Sequence, residues 1–421
     1  MNQTPAVAVV GTFDSKGEEH RFLKRRIEKR EVPAITIHVG TRRPSPFPVD
    51  YDLYQQVIQK GGAGMTDRDR AIDAVITEAR RLISDLYQKG DICGMISAGG
   101  GTGTHISASI MQVLPLGVPK VMVSTVASRD MKPVVGTKDI TMMHSVADLL
   151  GINSITGKIL DRAAGAISGM VLKQWKQTED KKRVALTMFG FITKAAEAVK
   201  ASLEGMGYEV VAFHANGTGG MAMEELAAEG YFHGILDLAT HELADELMHG
   251  YCSGIGPARL EPVAGRHIPR LVVPGGLDCA VLEFTRNTIP EKLRDRSIFF
   301  YDFRSAVRLS LDETRFIARQ LAEKLNQDIS GIEVLVPTRG WSEADGQGNP
   351  LHDPAAQDAF MKTLRQVINP RVPIKEVDLH INDPSFAAIA SGTMDQMIRE
   401  IDQGPGRPIP GSGFETHMSQ R

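Results

Sequence analysis

The sequence predicts an α/β protein built from two Rossmann-like, doubly wound parallel-sheet domains. Short continuous apolar runs end in a Gly, Ser, Thr or Asp turn and lead into a helical pattern, as buried parallel strands do when they feed crossover helices. This scheme runs once before the polar stretch at 176–183 and again after it. A chain of 421 residues corresponds to roughly three domain equivalents, which excludes a single small module.

In the first half, AVAVV (6–10) leads to GTFDSKGEE and a helix around 17–30, and AITIHV (34–39) leads to GTRR. A helix follows in which Ile72, Val75, Ile76, Ala79, Leu82, Ile83 and Leu86 form one apolar stripe. ICGMISA (92–98) then meets GGGTGT, and PKVMVST (119–125) meets VASRD. The second half runs through RVALTMFG (183–190), YEVVAFHANGTGG (208–220), FHGILDLATHELADE (232–246) and IPRLVVPGGLDCA (268–280), with two more strands in 331–383. GVPKVMVST pairs with HIPRLVVPG, and DICGMISAGG with YFHGILDLAT, which suggests an internal duplication. The alternative is the pattern any two parallel-sheet domains share. The boundaries read as 1–178, 179–402 and a flexible tail at 403–421.

Composition narrows the function. Hydrophobic residues at 42% and charged residues at 24% suit a globular core, and 48 basic against 51 acidic residues give no field to attract nucleic acid. Cys93, Cys252 and Cys279 fit neither a disulfide framework nor a zinc ribbon. No leader pattern is present, and no run nears the roughly 18 apolar residues that span a bilayer. The expectation is a cytoplasmic protein with no membrane partner.

The main chemical signal is the loop Gly99 to Thr104. Glycines between a strand and a helix bring backbone N–H groups and the helix dipole to bear on a phosphate or carboxylate. A plain tight turn is the alternative. Asp14, Ser15 and Lys16 end another strand: Lys16 suits phosphate and Asp14 suits Mg²⁺ or a ribose, or one of them merely caps the helix. Thr41 follows the next strand, and Arg68 stands at a helix start, where a cation opposes the dipole.

Asn216, Gly217, Thr218, Gly219 and Gly220 repeat the strand, glycine turn and helix logic as a second anion site, expected to bind substrate. His380 and Asp383, together with Asn382, follow a strand and are expected catalytic groups, turn capping being the alternative. His241-Glu242 lacks the second His, at 245, that the zinc-protease spacing requires, and no metal ligand set is assigned. The Ala/Gly-rich helix 159–170 and the apolar run DITMMHSVADLLGIN lead us to expect a homodimer.

The blocks VVGTFDSKGEEHRFL, SAGGGTGT, LPLGVPKVMVSTVAS, VGTKDITMMHSVADLLGIN, HANGTGGMAMEEL and DLHINDPSFA, in this order over about 6–390, resemble the Tm-one-like ATP-binding family. The resemblance implies two Rossmann-like domains, dimerisation, and Mg-ATP held by the N-terminal domain. By position it implies that Asp14, Ser15, Lys16 and Thr41 contact nucleotide, that Arg68 is the arginine of an Asp-Arg-Gly pattern, and that Gly100, Gly101, Thr102, Gly103 and Thr104 hold phosphates. Asp69 stands where that family has Gly, and Thr102 where it has Ser. Tyr301-Asp302 replaces a His-Asn pair, and Ile192-Thr193-Lys194-Ala195 a Thr-Thr-Pro-Cys turn.

The resulting expectation is a Mg-ATP-binding protein, acting as an ATP-dependent enzyme on a small anionic metabolite in the interdomain cleft. The alternatives are a non-catalytic nucleotide-binding interaction module and an ATP-independent hydrolase or lyase using the second domain, with His380 or His214 as base.

Overall fold

A computed structural model describes residues 4–59, 67–173, 179–263 and 265–403. The chain divides into two compact units, Met1–Thr178 and Glu179–Arg421. The tail expected from 403 lies, beyond that residue, outside the described residues.

The first unit runs β1 (Ala6–Gly11), α1 (Phe13–Glu28), β2 (Ala34–His38), β3 (Tyr51–Asp52), α2 (Arg68–Gln88), β4 (Ile92–Gly99), α3 (Gly101–Met111), β5 (Lys120–Ser124), α4 (Lys132–Val135), β6 (Thr141–His144) and α5 (Thr156–Leu172). Its parallel sheet has the order β3-β2-β1-β4-β5-β6, so the winding reverses between β1 and β4. Side chains alternate across the sheet. Val7, Val9, Ile96 and Val121 pack with Leu23 and Ile27 of α1 and Leu160 and Ala164 of α5. Ala8, Val10, Met95 and Met122 pack on the other face with Val75 and Ala79 of α2 and Ile106 and Ile110 of α3. Ala163 and Ala164, expected at an interface between copies, are therefore buried inside this unit, where their small size lets α5 lie close to the sheet.

The second unit runs β7 (Arg183–Met188), α6 (Thr193–Gly205), β8 (Glu209–His214), α7 (Thr218–Glu229), β9 (Gly234–Ala239), α8 (Glu242–Met248), β10 (Arg270–Gly275), β11 (Cys279–Leu282), β12 (Ile298–Phe300), β13 (Ser305–Arg308), α9 (Leu311–Leu325), β14 (Ile332–Pro337), α10 (Pro354–Val367), β15 (Ile374–Val377) and α11 (Pro384–Gln403). Its parallel sheet has the order β15-β14-β10-β9-β7-β8. The series β2-β1-β4-β5-β6 thus has its counterpart in β8-β7-β9-β10-β14, and the segments paired in sequence, β4 with β9 and β5 with β10, take equivalent places. The units differ at the edges, where the first adds β3 and the second adds β15.

Two expectations change. The run 268–280 is not one strand: Gly276, at φ +75°, turns the chain, and β11 begins an antiparallel ribbon, β11-β13-β12. Helix α1 starts at Phe13 rather than near 17, so Asp14, Ser15 and Lys16 form its first turn, which is kinked at Lys16.

Candidate functional site

At the β1/β4 switch point, Gly99 closes β4 and Gly100 is the N-cap of α3, with no side-chain hydrogen bond at that cap. Gly99 is required by space, because a Cβ there would lie 3.0 Å from the Gly103 Cα. At Gly101, by contrast, a Cβ would meet nothing within 4 Å. The start of α3 therefore faces open space, flanked by the Thr12 hydroxyl, 3.9 Å from a Cβ on Gly103, and the Thr125 hydroxyl, 3.7 Å from one on Gly100. Arg68, at the start of α2, donates from Nη2 to the Thr102 hydroxyl at 3.3 Å. The structure thus brings Arg68 to the glycine loop. It adds Thr12 and Thr125, strand-end hydroxyls that the sequence reading passed over.

The other expected nucleotide contacts already have partners. Asp14 is buried and its Oδ2 accepts the Arg42 amide at 3.1 Å, tying α1 to the turn that holds Thr41. A carboxylate so placed braces the β2 corner in place of binding Mg²⁺ or ribose. Lys16 Nζ donates to the Leu149 carbonyl, and the Ser15 hydroxyl to the Thr12 carbonyl at 3.2 Å. Thr104 is buried and bonds Ser124 Oγ at 2.7 Å, so its side chain joins α3 to β5 in place of reaching a phosphate.

Two buried histidines fix this corner. His38 Nδ1 accepts the Phe13 amide at 3.0 Å, and His20 Nδ1 lies 2.6 Å from the Lys16 carbonyl. Burial lowers the His20 pKa to about 4, so the imidazole is neutral. The one signal for His38 was a polar residue at the end of an apolar strand.

In the second unit the glycine loop is occupied by the chain's own side chains. The Gly217 amide donates to Glu242 Oε1 at 2.8 Å, and the Gly219 amide to Asn216 Oδ1 at 3.2 Å. Glu242 belongs to a buried network in which Arg259 pairs with Glu224, Asp237 and Glu242 at 3.1, 2.7 and 2.8 Å, and Arg270 pairs with Glu224 and Asp237. The loop of Asn216, Gly217, Thr218, Gly219 and Gly220 therefore caps and braces α7 in place of offering an open anion cradle.

The expected catalytic groups are also structural. His380 Nε2 lies 3.0 Å from the Ser342 carbonyl and its Nδ1 accepts the Asn382 amide at 3.1 Å. Asp383 Oδ1 accepts the Ser385 amide at 2.8 Å, at the start of α11. Both nitrogens of His380 are engaged, which leaves no base for proton transfer.

Unpaired polar groups lie instead at the ends of β9 and β10. His241 is fully buried, and neither ring nitrogen has a hydrogen-bond partner among the described residues. Its ring stacks on Phe189 at 3.9 Å, and burial lowers its pKa to about 3. Asp278 Oδ2 accepts from Ser342 Oγ at 2.8 Å while Oδ1 is unpartnered among the described residues. Burial raises the pKa of both Asp278 and Asp345, with Arg308 at 3.5 Å from Asp345 opposing that shift. Ser342, Asp345 and Arg308 come from the ribbon and from the loop after β14, too far apart in sequence for spacing to reveal them.

Two parallel α/β units, each with polar groups gathered at the carboxyl ends of its strands, define a protein of two Rossmann-like domains. The chain belongs to the Uncharacterised protein family (UPF0261), whose N-terminal domain matches residues 5–176 and whose C-terminal domain matches residues 181–398. A UPF0261 protein of Clostridium tetani is 37% identical over 404 residues, covering 94% of this chain and 99% of its own. The ToMV resistance protein Tm-1(GCR237) of Solanum lycopersicum is 31% identical over 417 residues, 92% of this chain and 55% of the tomato protein, in keeping with the resemblance seen in the sequence blocks. A UDP-N-acetylglucosamine 2-epimerase from Rickettsia bellii aligns over 95% of this chain and 97% of its own at 10% identity, with a TM-score of 0.21, too low to build on. Among the described residues, no helix is long and apolar enough to cross a membrane.

Proposed function

We propose that the first unit binds Mg-ATP, with the phosphates at the amino end of α3. The observation that carries this reading is the open, uncapped start of α3 at the switch point, with Arg68 beside it. Backbone N–H groups there would receive phosphate oxygens, the helix dipole would favour their charge, and the Arg68 guanidinium would neutralise a further oxygen. The fit to Mg²⁺ is of another kind. With Asp14 engaged by Arg42, the ion would be held by the nucleotide's own phosphates and by waters.

Calorimetry with Mg-ATP tests the site. Gly101→Val places its side chain in open space, so the variant should fold as the wild type does and lose most of the affinity. Unchanged affinity in a folded Gly101→Val protein sinks the placement. Phosphate release, measured alongside, separates an ATP-dependent enzyme acting on a small anionic metabolite from an interaction module in which nucleotide only holds a conformation.

A homodimer and a cytoplasmic setting belong to the same reading. Val146 and Leu150, 70% and 85% exposed, with Ile152 and Ile155 form an apolar patch that a second copy would cover, and all three cysteines are free thiols. Light scattering should give twice the chain mass, falling towards one chain mass in Leu150→Asp. A wild type that stays monomeric across micromolar concentrations counts against the dimer.

A further inference from the structure

His241, Asp245 and Cys252 lie together in the second unit, all three buried, with one potential ligand atom from each within 4.8 Å of the others. His241 precedes α8, Asp245 lies one helical turn on, and Cys252 comes from the loop beyond α8. The i, i+4 pair thus has the spacing of the first and last residues of H-E-x-x-H, with Asp in the last place. The intervening Glu242 is held by Arg259 and by the Gly217 amide, so no general base stands beside the trio and a protease-like reading fails.

Three observations point to a ligand. An imidazole buried with both nitrogens unpaired is costly unless something binds it, since a buried polar group normally has a partner. The Asp245 carboxylate is oriented by the Val281 amide on Oδ1 at 2.6 Å and the Cys252 amide on Oδ2 at 2.7 Å. Each oxygen keeps a further lone pair, and such backbone contacts commonly fix a metal-binding carboxylate. Stacking on Phe189 fixes the His241 ring plane.

We propose that His241, Asp245 and Cys252 bind a divalent transition metal, with Zn²⁺ the ion the donor set suits best. Imidazole nitrogen, thiolate sulfur and carboxylate oxygen are its usual ligands. Bonds of about 2.0 to 2.3 Å place tetrahedral ligand atoms about 3.3 to 3.8 Å apart, so the trio needs only small side-chain shifts. Charge favours the same ion: neutral imidazole, one thiolate and one carboxylate with a divalent cation sum to zero, which a buried site tolerates. Binding would release the Cys252 thiol proton. The fourth position is left for water or a bound molecule. This site is independent of nucleotide binding by the first unit.

The full chain, stripped with EDTA and then titrated with Co²⁺ alone, provides the test. One equivalent should bind, with tetrahedral d–d bands and a thiolate-to-cobalt charge-transfer band, and Zn²⁺ should displace it. Folded Cys252→Ser should lose the charge-transfer band, and folded His241→Ala should bind Co²⁺ more than roughly 100-fold more weakly. Folding of both variants is checked by circular dichroism. A second measurement needs no variant: alkylation of wild-type Cys252, mapped by mass spectrometry in rising urea, should shift to higher urea when Zn²⁺ is present. No Co²⁺ bound by the wild type, a charge-transfer band persisting in Cys252→Ser, or the same alkylation profile with and without Zn²⁺ overturns the proposal.

Discussion

The glycine loops at Gly99–Thr104 and Asn216–Gly220 have nearly the same pattern and opposite surroundings. In the first, a Cβ on Gly101 would meet nothing, and no side chain caps the helix. In the second, a Cβ on Gly219 would collide with the His214 carbonyl, one on Gly220 would fall 2.6 Å from Glu242, and Glu242 takes the Gly217 amide. A glycine-rich strand-to-helix turn is therefore an anion site only where the rest of the fold brings no carboxylate of its own. The glycines of one loop leave room for something, and those of the other let the chain close on itself.

The sharpest way to break this contrast is to remove the internal acceptor. Glu242→Ala should cost about 3 to 5 kcal/mol, since it takes a partner from buried Arg259. Added inorganic phosphate should restore part of the melting temperature in this variant and have no such effect through this loop in the wild type. No loss of stability on denaturant unfolding would refute the assigned role of Glu242.

Glycine replacements come next. Gly219→Ala should destabilise by about 3 kcal/mol through backbone collision, whereas Gly101→Ala should stay within about 0.5 kcal/mol of the wild type by thermal melting. Equal effects would erase the distinction between the loops.

The corner under the first loop responds to pH. The folded His20 pKa of about 4 lies below the unfolded value near 6.5, so its contribution is present above pH 6.5 and is lost as pH falls from there towards 4. The loss is up to roughly 3 kcal/mol. Guanidinium unfolding across this range should show a shallower slope in His20→Gln, and identical slopes would show that His20 is not buried neutral.

The smallest effect separates two cations. Arg68→Ala should weaken Mg-ATP binding by about 1 to 3 kcal/mol, whereas Lys16→Ala, whose ammonium already holds the Leu149 carbonyl, should change it by less than about 1 kcal/mol. The reverse order would return Lys16 to the phosphates.

The parallel strands were legible because each is a short apolar run closed by a polar or glycine turn, as at Ala6–Gly11 and Ile92–Gly99. The antiparallel ribbon was not, since the three- and four-residue strands β12 and β13 are too short to show a period and β11 follows directly on a glycine turn. At the first loop, local sequence carried the geometry of α3. It did not carry the fates of Asp14 and Lys16, which depend on Arg42 and Leu149. The second loop misled for the same reason: Glu242 lies 25 residues from Gly217 and reaches it only through the sheet. His241 and Asp245 were visible as an incomplete zinc-protease pattern, and what links them to Cys252 is the turn after α8.

The latch between α1 and the β2 corner has a mechanical consequence. His38 takes the Phe13 amide, Asp14 takes the Arg42 amide, and Arg43 donates to the Asp14 carbonyl at 2.8 Å, so neither segment can swing away while the other stays. The Phe13 and Arg42 amides should then exchange with deuterium in a single opening event of common free energy, and a load applied at either segment would be borne by both.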